Sequence, residues 1–202
     1  ALQEFLSSLD DRRQRIETIS LDMEDQESIE TVAKIIQEKY TKVDVLLNVA
    51  GILGDGINTP GPERTIQKLD RNWLDHTLAV NVVGPVMFSQ ALIPLMQRKR
   101  KRTKDEQQQQ YDYPAVIANL SARVGSISDN ELGGWYSYRM SKAALNQATR
   151  TMAHECKRHS IWCLALHPGT TNTDLSKPFQ KNVQEGKLFP VDFTVGQLLN
   201  VV

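Results

Sequence analysis

Tyr138 and Lys142 are the residues of this chain whose types and spacing most directly suggest chemistry. Residues four apart lie on the same face of a helix, so the phenol and the ammonium can approach each other. A neighbouring ammonium favours the phenolate, which predicts a tyrosine pKa lowered towards neutral pH. Such a phenol can donate a proton to a carbonyl oxygen or accept one from an alcohol. A tyrosine and a lysine on the exposed surface of a helix can have the same spacing. The surrounding sequence must therefore decide between a catalytic pair and two surface residues.

Apolar segments on both sides of the pair predict the elements that position it. Residues 115–120 predict a buried strand that leads into small polar residues, and residues 161–166 predict a second strand. Apolar residues at helical spacing in 141–159 predict a helix between these strands. Tyr138 and Lys142 then lie in the first turns of that helix, close to the end of the first of the two strands.

The alternation of helices and strands extends to the start of the chain. The patterns predict a helix over 1–9, a strand over 16–22, a helix over 25–40, a strand over 43–48 and a helix over 70–96. Asp25 is a good N-cap for the second of these helices. The inward-facing residues of that helix are predicted to be Ile29, Val32, Ile35 and Ile36. Gly84 and Pro85 predict a kink in the helix over 70–96.

Apolar strands separated by helices are typical of a parallel sheet covered by helices on both faces. The sequence therefore predicts one α/β domain over residues 1–202, interrupted by a polar insertion loop at about 97–113. The basic run that opens this insertion is also typical of a nuclear address or a nucleic-acid patch. A solvated loop after a helix explains the same composition, and we expect no nucleic-acid partner.

Five short motifs, in order along the chain, resemble the short-chain dehydrogenase/reductase family. They are Asn48-Val-Ala-Gly51 after the fourth strand, Asn81 in the next helix, serines after the fifth strand, Tyr138-x-x-x-Lys142, and Pro168-Gly169 after the sixth strand. Residues 126–130 and 133–138 further resemble the branch that contains the C-factor and sniffer-type carbonyl reductases. The resemblance implies a doubly wound, Rossmann-like parallel sheet in a three-layer α/β/α arrangement.

The resemblance also implies roles for individual residues. Tyr138 would be the acid/base, and Lys142 would lower its pKa and hold the nicotinamide ribose hydroxyls. Asn81 would orient a water that links Lys142 to solvent, although a hydrogen bond that only fixes a helix kink explains the same asparagine. Asp22 resembles the acid that accepts a hydrogen bond from the adenine amino group. The remaining residues implied at the cofactor site are Met23, Asn48, Ala50, Gly51, Pro168, Gly169 and Thr173.

The serine that would polarise the substrate carbonyl departs from the family pattern. The family usually has Asn-x-Ser-Ser after the fifth strand, whereas this chain has Asn119, Leu120, Ser121 and Ala122. Ser126 lies twelve residues before Tyr138, close to the family spacing, and is the favoured candidate. Ser121 is the alternative. It is the less favoured of the two because strand alternation can turn its side chain away from the site.

Composition limits the other possibilities. Acidic and basic residues balance at 24 each in 202 residues, so no overall charge directs the chain to nucleic acid or to a membrane. No secretory signal opens the chain, and no apolar run is predicted to span a membrane. Cys156 and Cys163 lack metal-site spacing and are expected to be free thiols, which is typical of the cytoplasm. We predict a cytoplasmic location and no metal site.

No glycine precedes Gly51. The resemblance therefore predicts that the first strand, its Gly-rich turn and the second strand are missing. The chain is then expected to bind the pyrophosphate of a dinucleotide weakly. The sheet is expected to be truncated at its other end as well, before a seventh strand. Residues that select NAD or NADP normally end the second strand, so NAD(P)(H) is expected with NADP slightly favoured. The helices that bear Asn81 and Tyr138 are expected to form a homodimer or homotetramer interface.

The sequence thus predicts an NAD(P)(H)-dependent oxidoreductase that transfers hydride between nicotinamide and a small-molecule carbonyl or alcohol. A non-catalytic nucleotide-sensing or protein-interaction module is the alternative, motivated by Ala122 and by the missing Gly-rich turn. An intact Tyr138 and Lys142 favour the enzyme, because a binding module needs no acid/base pair.

Overall fold

A parallel three-stranded sheet forms the centre of the computed structural model, which describes residues 16–98 and 113–202. Its strands are β1 (Val45–Asn48), β2 (Ala115–Leu120) and β3 (Ile161–Leu166), in the order β1-β2-β3. The central strand β2 is buried along nearly its whole length, which explains its continuous run of apolar residues. A short parallel pair, β4 (Thr170–Thr171) with β5 (Leu188–Phe189), follows β3.

Five α-helices surround these strands in the described ranges. They are α1 (Gln26–Lys39), α2 (Arg71–Leu78), α3 (Gly84–Met96), α4 (Tyr136–Cys156) and α5 (Val191–Leu199). One hydrophobic core joins α1, α3 and the end of α4 to one face of the sheet, through Ile29, Phe88, Leu92, Ile117 and Cys156 among others. The sequence prediction of a parallel α/β fold is confirmed.

The α1 helix shows both the strength and the limit of the sequence pattern. The predicted N-cap is confirmed, because the Asp25 carboxylate accepts a hydrogen bond from Glu27 N. Ile29 and Val32 are buried as predicted, but Ile35 is 37% exposed and its predicted inward orientation is wrong. Ala33 is buried instead, because the small side chain lets the helix lie close to its neighbour.

The predicted strand over 16–22 is absent from the described part of the chain. This segment is extended and mostly exposed, with Leu21 packed against the core, and none of the strands within residues 16–98 and 113–202 pairs with it. A strand is stable only when its backbone groups pair, so an apolar pattern alone did not produce one here. The predicted helix over 1–9 and most of the insertion at 97–113 lie outside the described residues.

A π-helical segment, Ala79–Val83, joins α2 to α3 and makes residues 71–96 one continuous helical unit. Gly84 N donates to Ala79 O, one residue further back than in an α-helix, and Pro85 has no N–H to donate. The sequence predicted a kink at Gly84–Pro85. The helix is irregular in the residues just before this pair, in the π-helical segment. The wider turn holds Asn81, which is completely buried.

The same helical unit is long and apolar enough to cross a membrane by length and composition, which contradicts the expectation that no such run exists. Core helices pass this test too, and here Phe88, Leu92 and Met96 are buried against the sheet. Phe88, Leu92 and Leu145 lie on the helices that are expected to form a dimer interface, but they are buried within the chain itself. The homodimer stays a prediction.

Register within the sheet aligns polar groups at the carboxyl ends of the strands. Asn48 pairs in register with Asn119, and Asn48 Nδ2 donates to Asn119 Oδ1 at 2.8 Å. Asn119 Nδ2 donates to Thr149 Oγ1 of α4 at 2.8 Å, and Asn48 Nδ2 also donates to Ser89 Oγ of α3 at 3.0 Å. These buried hydrogen bonds fix two helices to two strand ends.

Replacement of Gly84 by alanine tests the close contact between the backbone at Met23 and the start of α3. A Cβ at Gly84 would lie 2.5 Å from Met23 O, so the backbone must shift to accommodate it. We expect Gly84→Ala to lower the free energy of unfolding by about 1–3 kcal/mol, measured by denaturant titration. Gly196→Ala in α5 is the matched control, because a Cβ there meets nothing within 4 Å. It should leave stability unchanged or raise it by up to about 1 kcal/mol; equal losses in both variants would contradict the predicted contact.

Candidate active site

A cavity of about 690 Å³ lies beyond the carboxyl ends of β2 and β3, on the face of the sheet opposite the hydrophobic core. In open α/β sheets ligands bind at this end of the strands. Its lining includes seven of the residues proposed from the sequence: Gly51, Ser121, Tyr138, Lys142, Pro168, Gly169 and Thr173. Residues that are far apart in the chain therefore line one cavity, and they are the residues for which the family resemblance implies catalytic or cofactor-binding roles.

Helix α4 places the tyrosine and the lysine on one face, as their spacing predicts. Lys142 Nζ lies 5.6 Å from the centroid of the Tyr138 ring. It donates a hydrogen bond of 2.8 Å to Leu120 O at the end of β2, and only 4% of the lysine is exposed. The ammonium is therefore held at a fixed point between the tyrosine and the strand end.

Burial sets the electrostatics of this pair. It raises the pKa of Tyr138 to about 12 and lowers the pKa of Lys142 to about 8. The predicted lowering of the Tyr138 pKa is wrong for this structure, because desolvation of the phenol outweighs the influence of an ammonium that is bonded to Leu120 O. At neutral pH the phenol consequently keeps its proton and can act as a proton donor.

Positive groups line the cavity, and none of the described residues that line it is an Asp or Glu. Arg123 is neutralised by Asp129, with hydrogen bonds of 2.5 and 2.9 Å. Lys142 and the exposed Arg64 make no salt bridge to a carboxylate within the described ranges. Such a lining favours an electron-rich or anionic ligand.

Asn81 connects the π-helical segment to the chain that follows β1. Its Oδ1 accepts from Ile52 N at 2.8 Å, and its Nδ2 donates to Ile52 O at 2.9 Å and to Ser141 Oγ at 3.0 Å. The amide oxygen and both amide N–H groups each bind another part of the chain, which supports the structural interpretation of this residue. Its role in orienting a water stays a prediction.

Gly51 lies directly beside this asparagine. A Cβ at Gly51 would be 3.2 Å from Asn81 Oδ1 and 3.4 Å from Lys142 Nζ. Any side chain here would fill the space next to the ammonium. The absence of a side chain therefore keeps one wall of the cavity open at Lys142.

The two candidate serines are placed differently. Ser121 lines the cavity, is 5% exposed and donates to Asn146 Oδ1 at 2.6 Å. Ser126, which the spacing favoured, is not among the lining residues, and its hydroxyl pairs with Ser128 and accepts from Asp129 N. A short 3-10 helix, Arg123–Gly125, lies between β2 and α4. Because of this turn, the number of residues between a serine and Tyr138 does not predict whether the serine lines the cavity. Ala122, where the family pattern has its second serine, lines the cavity.

The structure does not bring four of the cofactor residues to the cavity wall. Asp22 is exposed and accepts from Glu24 N, and the backbone of Met23 packs against Gly84. Asn48 is committed to the buried network at the strand ends, and Ala50 is exposed.

A family model described as "short chain dehydrogenase" matches residues 1–184. The chain belongs to the short-chain dehydrogenase family. C-signal of Myxococcus xanthus is 32% identical over 136 residues, which cover 67% of this chain and 70% of that protein. The 1-hydroxy-2-glutathionyl-2-methyl-3-butene dehydrogenase of Rhodococcus sp. (strain AD45) is 32% identical over 160 residues, 79% of this chain. The chain spans about 60% of the length of this second relative.

Two solved carbonyl reductases share this fold. The NADPH-bound carbonyl reductase from chicken fatty liver superimposes with a TM-score of 0.77 at 29% identity, covering 98% of this chain and 73% of that one. The carbonyl reductase Sniffer of D. melanogaster superimposes with a TM-score of 0.78 at 27% identity, covering 98% and 74%. These similarities confirm the resemblance to the sniffer-type branch of the short-chain dehydrogenases.

Sequence reasoning missed Arg64 and did not assign His167 to the cavity of this short-chain dehydrogenase. His167 follows β3 directly, so its position at a strand end was a usable signal. Its Nδ1 accepts from Arg123 N at 3.2 Å, and burial lowers its pKa. Arg64 lies in an irregular loop, where no periodic pattern predicts which side chain faces the cavity.

The pH dependence of stability should reveal the buried ammonium. The pKa of Lys142 falls from 10.5 to about 8 on burial, so between these values the unfolded chain binds more protons here than the folded chain. The stability contribution of Lys142 is therefore lowest below about pH 8 and rises with pH towards about 10.5. Relative to Lys142→Met, the wild-type free energy of unfolding should rise by roughly 2–3 kcal/mol across this window.

Denaturant titrations of both proteins at a series of pH values measure this difference. Lys157→Met, at an exposed residue directly after the end of the same helix, controls for the loss of one lysine from the chain. A Lys142→Met difference that stays level or falls with pH would show that the ammonium is not desolvated.

Proposed function

We propose that this chain carries the catalytic machinery of a nicotinamide-dependent oxidoreductase that interconverts a small carbonyl compound and the corresponding alcohol. The observation that carries the proposal is a protonated Tyr138 beside the buried ammonium of Lys142, both lining one cavity at the carboxyl ends of parallel strands. The oxidoreductases among its relatives, including two carbonyl reductases of the same fold, support this reaction class.

The donors at the cavity fit a dinucleotide. Lys142 Nζ uses one of its three protons for Leu120 O, which leaves two for the neighbouring hydroxyls of a ribose. The open space at Gly51 lies beside the same ammonium, and Pro168, Gly169 and Thr173 form the wall that follows β3. NADP(H) is favoured over NAD(H), since the carbonyl reductase from chicken fatty liver binds NADPH.

The bound dinucleotide would supply hydride to the carbonyl carbon or accept it from the alcohol carbon. During reduction Tyr138 Oη donates its proton to the carbonyl oxygen as the C–O double bond becomes single. The adjacent Lys142 ammonium stabilises the tyrosinate that remains until a proton returns from solvent. In the reverse direction the tyrosinate accepts the alcohol proton, so the same two residues serve both directions.

An apolar wall is available for the body of the substrate. The Trp135 ring lies 4.9 Å from the Phe179 ring and 6.4 Å from the Tyr138 ring, measured between centroids, and all three side chains line the cavity. Aromatic faces next to the proton donor favour an apolar or aromatic carbonyl compound.

A cytoplasmic homodimer or homotetramer is proposed as the working form. Cys156 and Cys163 are free thiols, which accords with a reducing compartment. Val83 and Met140 remain 54% and 45% exposed and offer apolar surface on the helices that bear Asn81 and Tyr138.

Tyr138→Phe should lower kcat for carbonyl reduction about a hundredfold or more, because the ring keeps its packing but loses the proton donor. The dissociation constant of the cofactor should change by less than about threefold. Nicotinamide absorbance with a panel of aromatic aldehydes gives kcat, and nicotinamide fluorescence gives affinity. Tyr136→Phe is the matched control, since Tyr136 is not among the lining residues.

A Tyr138→Phe variant of the full-length protein that keeps more than about a tenth of wild-type kcat would contradict the acid/base role. Cofactor binding by the wild-type protein without turnover of any carbonyl or alcohol in the panel would instead favour the non-catalytic nucleotide-sensing module.

Ser121 and Ser126 can be separated by one pair of substitutions. We expect Ser121→Ala to lower kcat about tenfold or more, because its hydroxyl lies at the cavity and can stabilise charge on the substrate oxygen by turning its proton from Asn146 Oδ1 to that oxygen. Ser126→Ala should remain within about twofold of the wild type, because its hydroxyl binds the loop instead. The opposite ranking in steady-state assays would return the role to Ser126.

A further inference from the structure

Glu63 is a buried acid in a loop whose next residue, Arg64, is exposed. Only 4% of Glu63 is accessible to solvent. A carboxylate withdrawn from water is unfavourable unless hydrogen-bond donors replace the lost hydration. Within the described ranges, the hydrogen bonds that compensate its burial come from the beginning of α4, the helix of Tyr138.

Both carboxylate oxygens of Glu63 accept hydrogen bonds from one residue. Ser137 Oγ donates to Oε1, and Ser137 N donates to Oε2 at 3.2 Å. Ser137 is itself only 1% exposed, so this contact is shielded from water. Two donors on a single carboxylate define its position more sharply than either would alone.

The start of α4 needs this partner. The first backbone N–H groups of a helix lack intrahelical acceptors, and a side chain at the N-cap usually satisfies one of them. Here the N-cap is Trp135, which has a left-handed backbone (φ 57°, ψ 43°) and provides no side-chain cap. Glu63, from a distant loop, supplies the missing acceptor together with a negative charge at the positive end of the helix dipole.

Backbone contacts bring the loop and the helix start still closer. Trp135 N donates to Glu63 O at 2.5 Å. A Cβ at Gly134 would lie 3.3 Å from that same oxygen, and the residue has a positive φ of 66° that favours glycine. Side-chain and backbone contacts thus anchor residues 134–137 to Glu63.

Tyr138 is the next residue after this anchor. Lys142, one turn further along, is fixed independently through Leu120 O. If the first turn of α4 frayed, the phenol would move relative to the ammonium while the lysine stayed in place. We infer that Glu63 is a positioning residue that holds Tyr138 Oη in register with Lys142 and with the substrate oxygen. This inference rests on the proposed function of Tyr138.

Two substitutions in the full-length protein test it. Glu63→Gln keeps the size of the side chain but replaces one acceptor oxygen by a donor, and Ser137→Ala removes the hydroxyl donor while keeping the backbone bond. Glu131→Gln is the matched control, because Glu131 is exposed in the turn that leads to the same helix. For each variant we would measure kcat, KM for carbonyl and cofactor, and amide hydrogen exchange along α4.

The expected result is a local loss of order with a loss of kcat. Glu63→Gln should lower kcat about tenfold or more, since small displacements of a reacting group have large effects on rate, and leave KM for the cofactor within about twofold. Exchange at Ser137 N, which donates to the Glu63 carboxylate, should accelerate about tenfold, while Leu145 in the middle of the helix stays protected. Ser137→Ala should give smaller changes in the same direction. The double variant should lose no more than Glu63→Gln alone, because the two residues act through one contact.

Two results would overturn the inference. One is unchanged kcat and unchanged exchange at Ser137 N in Glu63→Gln. The other is faster exchange along the whole helix, Leu145 included, which would indicate a general structural role. Turnover by the wild-type protein is measured first, and its absence counts against the proposed function. The exchange data then decide separately whether Glu63 anchors the turn that carries Tyr138.

Discussion

The hydrogen bond from Lys142 Nζ to Leu120 O is the interaction on which the geometry of the site depends. It places an ammonium in a largely desolvated position without a carboxylate partner among the residues that the structure describes, and its lowered pKa reflects that position. A strand-end carbonyl can accept such a bond because the ladder of β2 ends there. The end of β2 therefore sets the position of the ammonium. Next to the ammonium, the absence of a side chain at Gly51 leaves open space.

Buried amides keep the elements around this ammonium in place. The Asn48–Asn119–Thr149 network joins β1 and β2 to α4, and the amide of Asn81 joins the chain after β1 to Ser141. Both networks are fully or almost fully buried, where an unpaired polar group is costly and a paired one specifies a single arrangement. The positions of Tyr138 and Lys142 thus depend on buried polar contacts that lie outside the cavity itself.

The opposite pKa shifts of the two site residues have one cause. Desolvation disfavours the charged form of each, so the phenol holds its proton more tightly and the ammonium holds its proton less tightly. In this state the tyrosine is prepared to donate to a carbonyl oxygen. A lining of positive groups without a carboxylate among the described residues favours negative charge on a bound ligand, as the proposed proton transfer requires.

Local sequence was sufficient for the parallel strands β2 and β3, for α1 with its Asp25 cap, and for the shared helical face of Tyr138 and Lys142. Each of these follows from periodicity or from contacts within one turn, which the chain encodes locally. The family resemblance added the fold and the type of reaction, because its motifs mark strand ends.

Tertiary structure alone decided the remaining features. Residues 16–22 are not a strand because no segment in the described ranges pairs with them, and Ile35 is exposed because α1 turns Ala33 towards the core. The choice of Ser121 over Ser126 as a lining residue depends on how the loop after β2 folds back, and the raised pKa of Tyr138 depends on how much water its surroundings exclude. The contact of Glu63 with Ser137 joins segments far apart in the chain. Burial and long-range approach are properties of the assembled fold, and no local pattern of residue types specifies them.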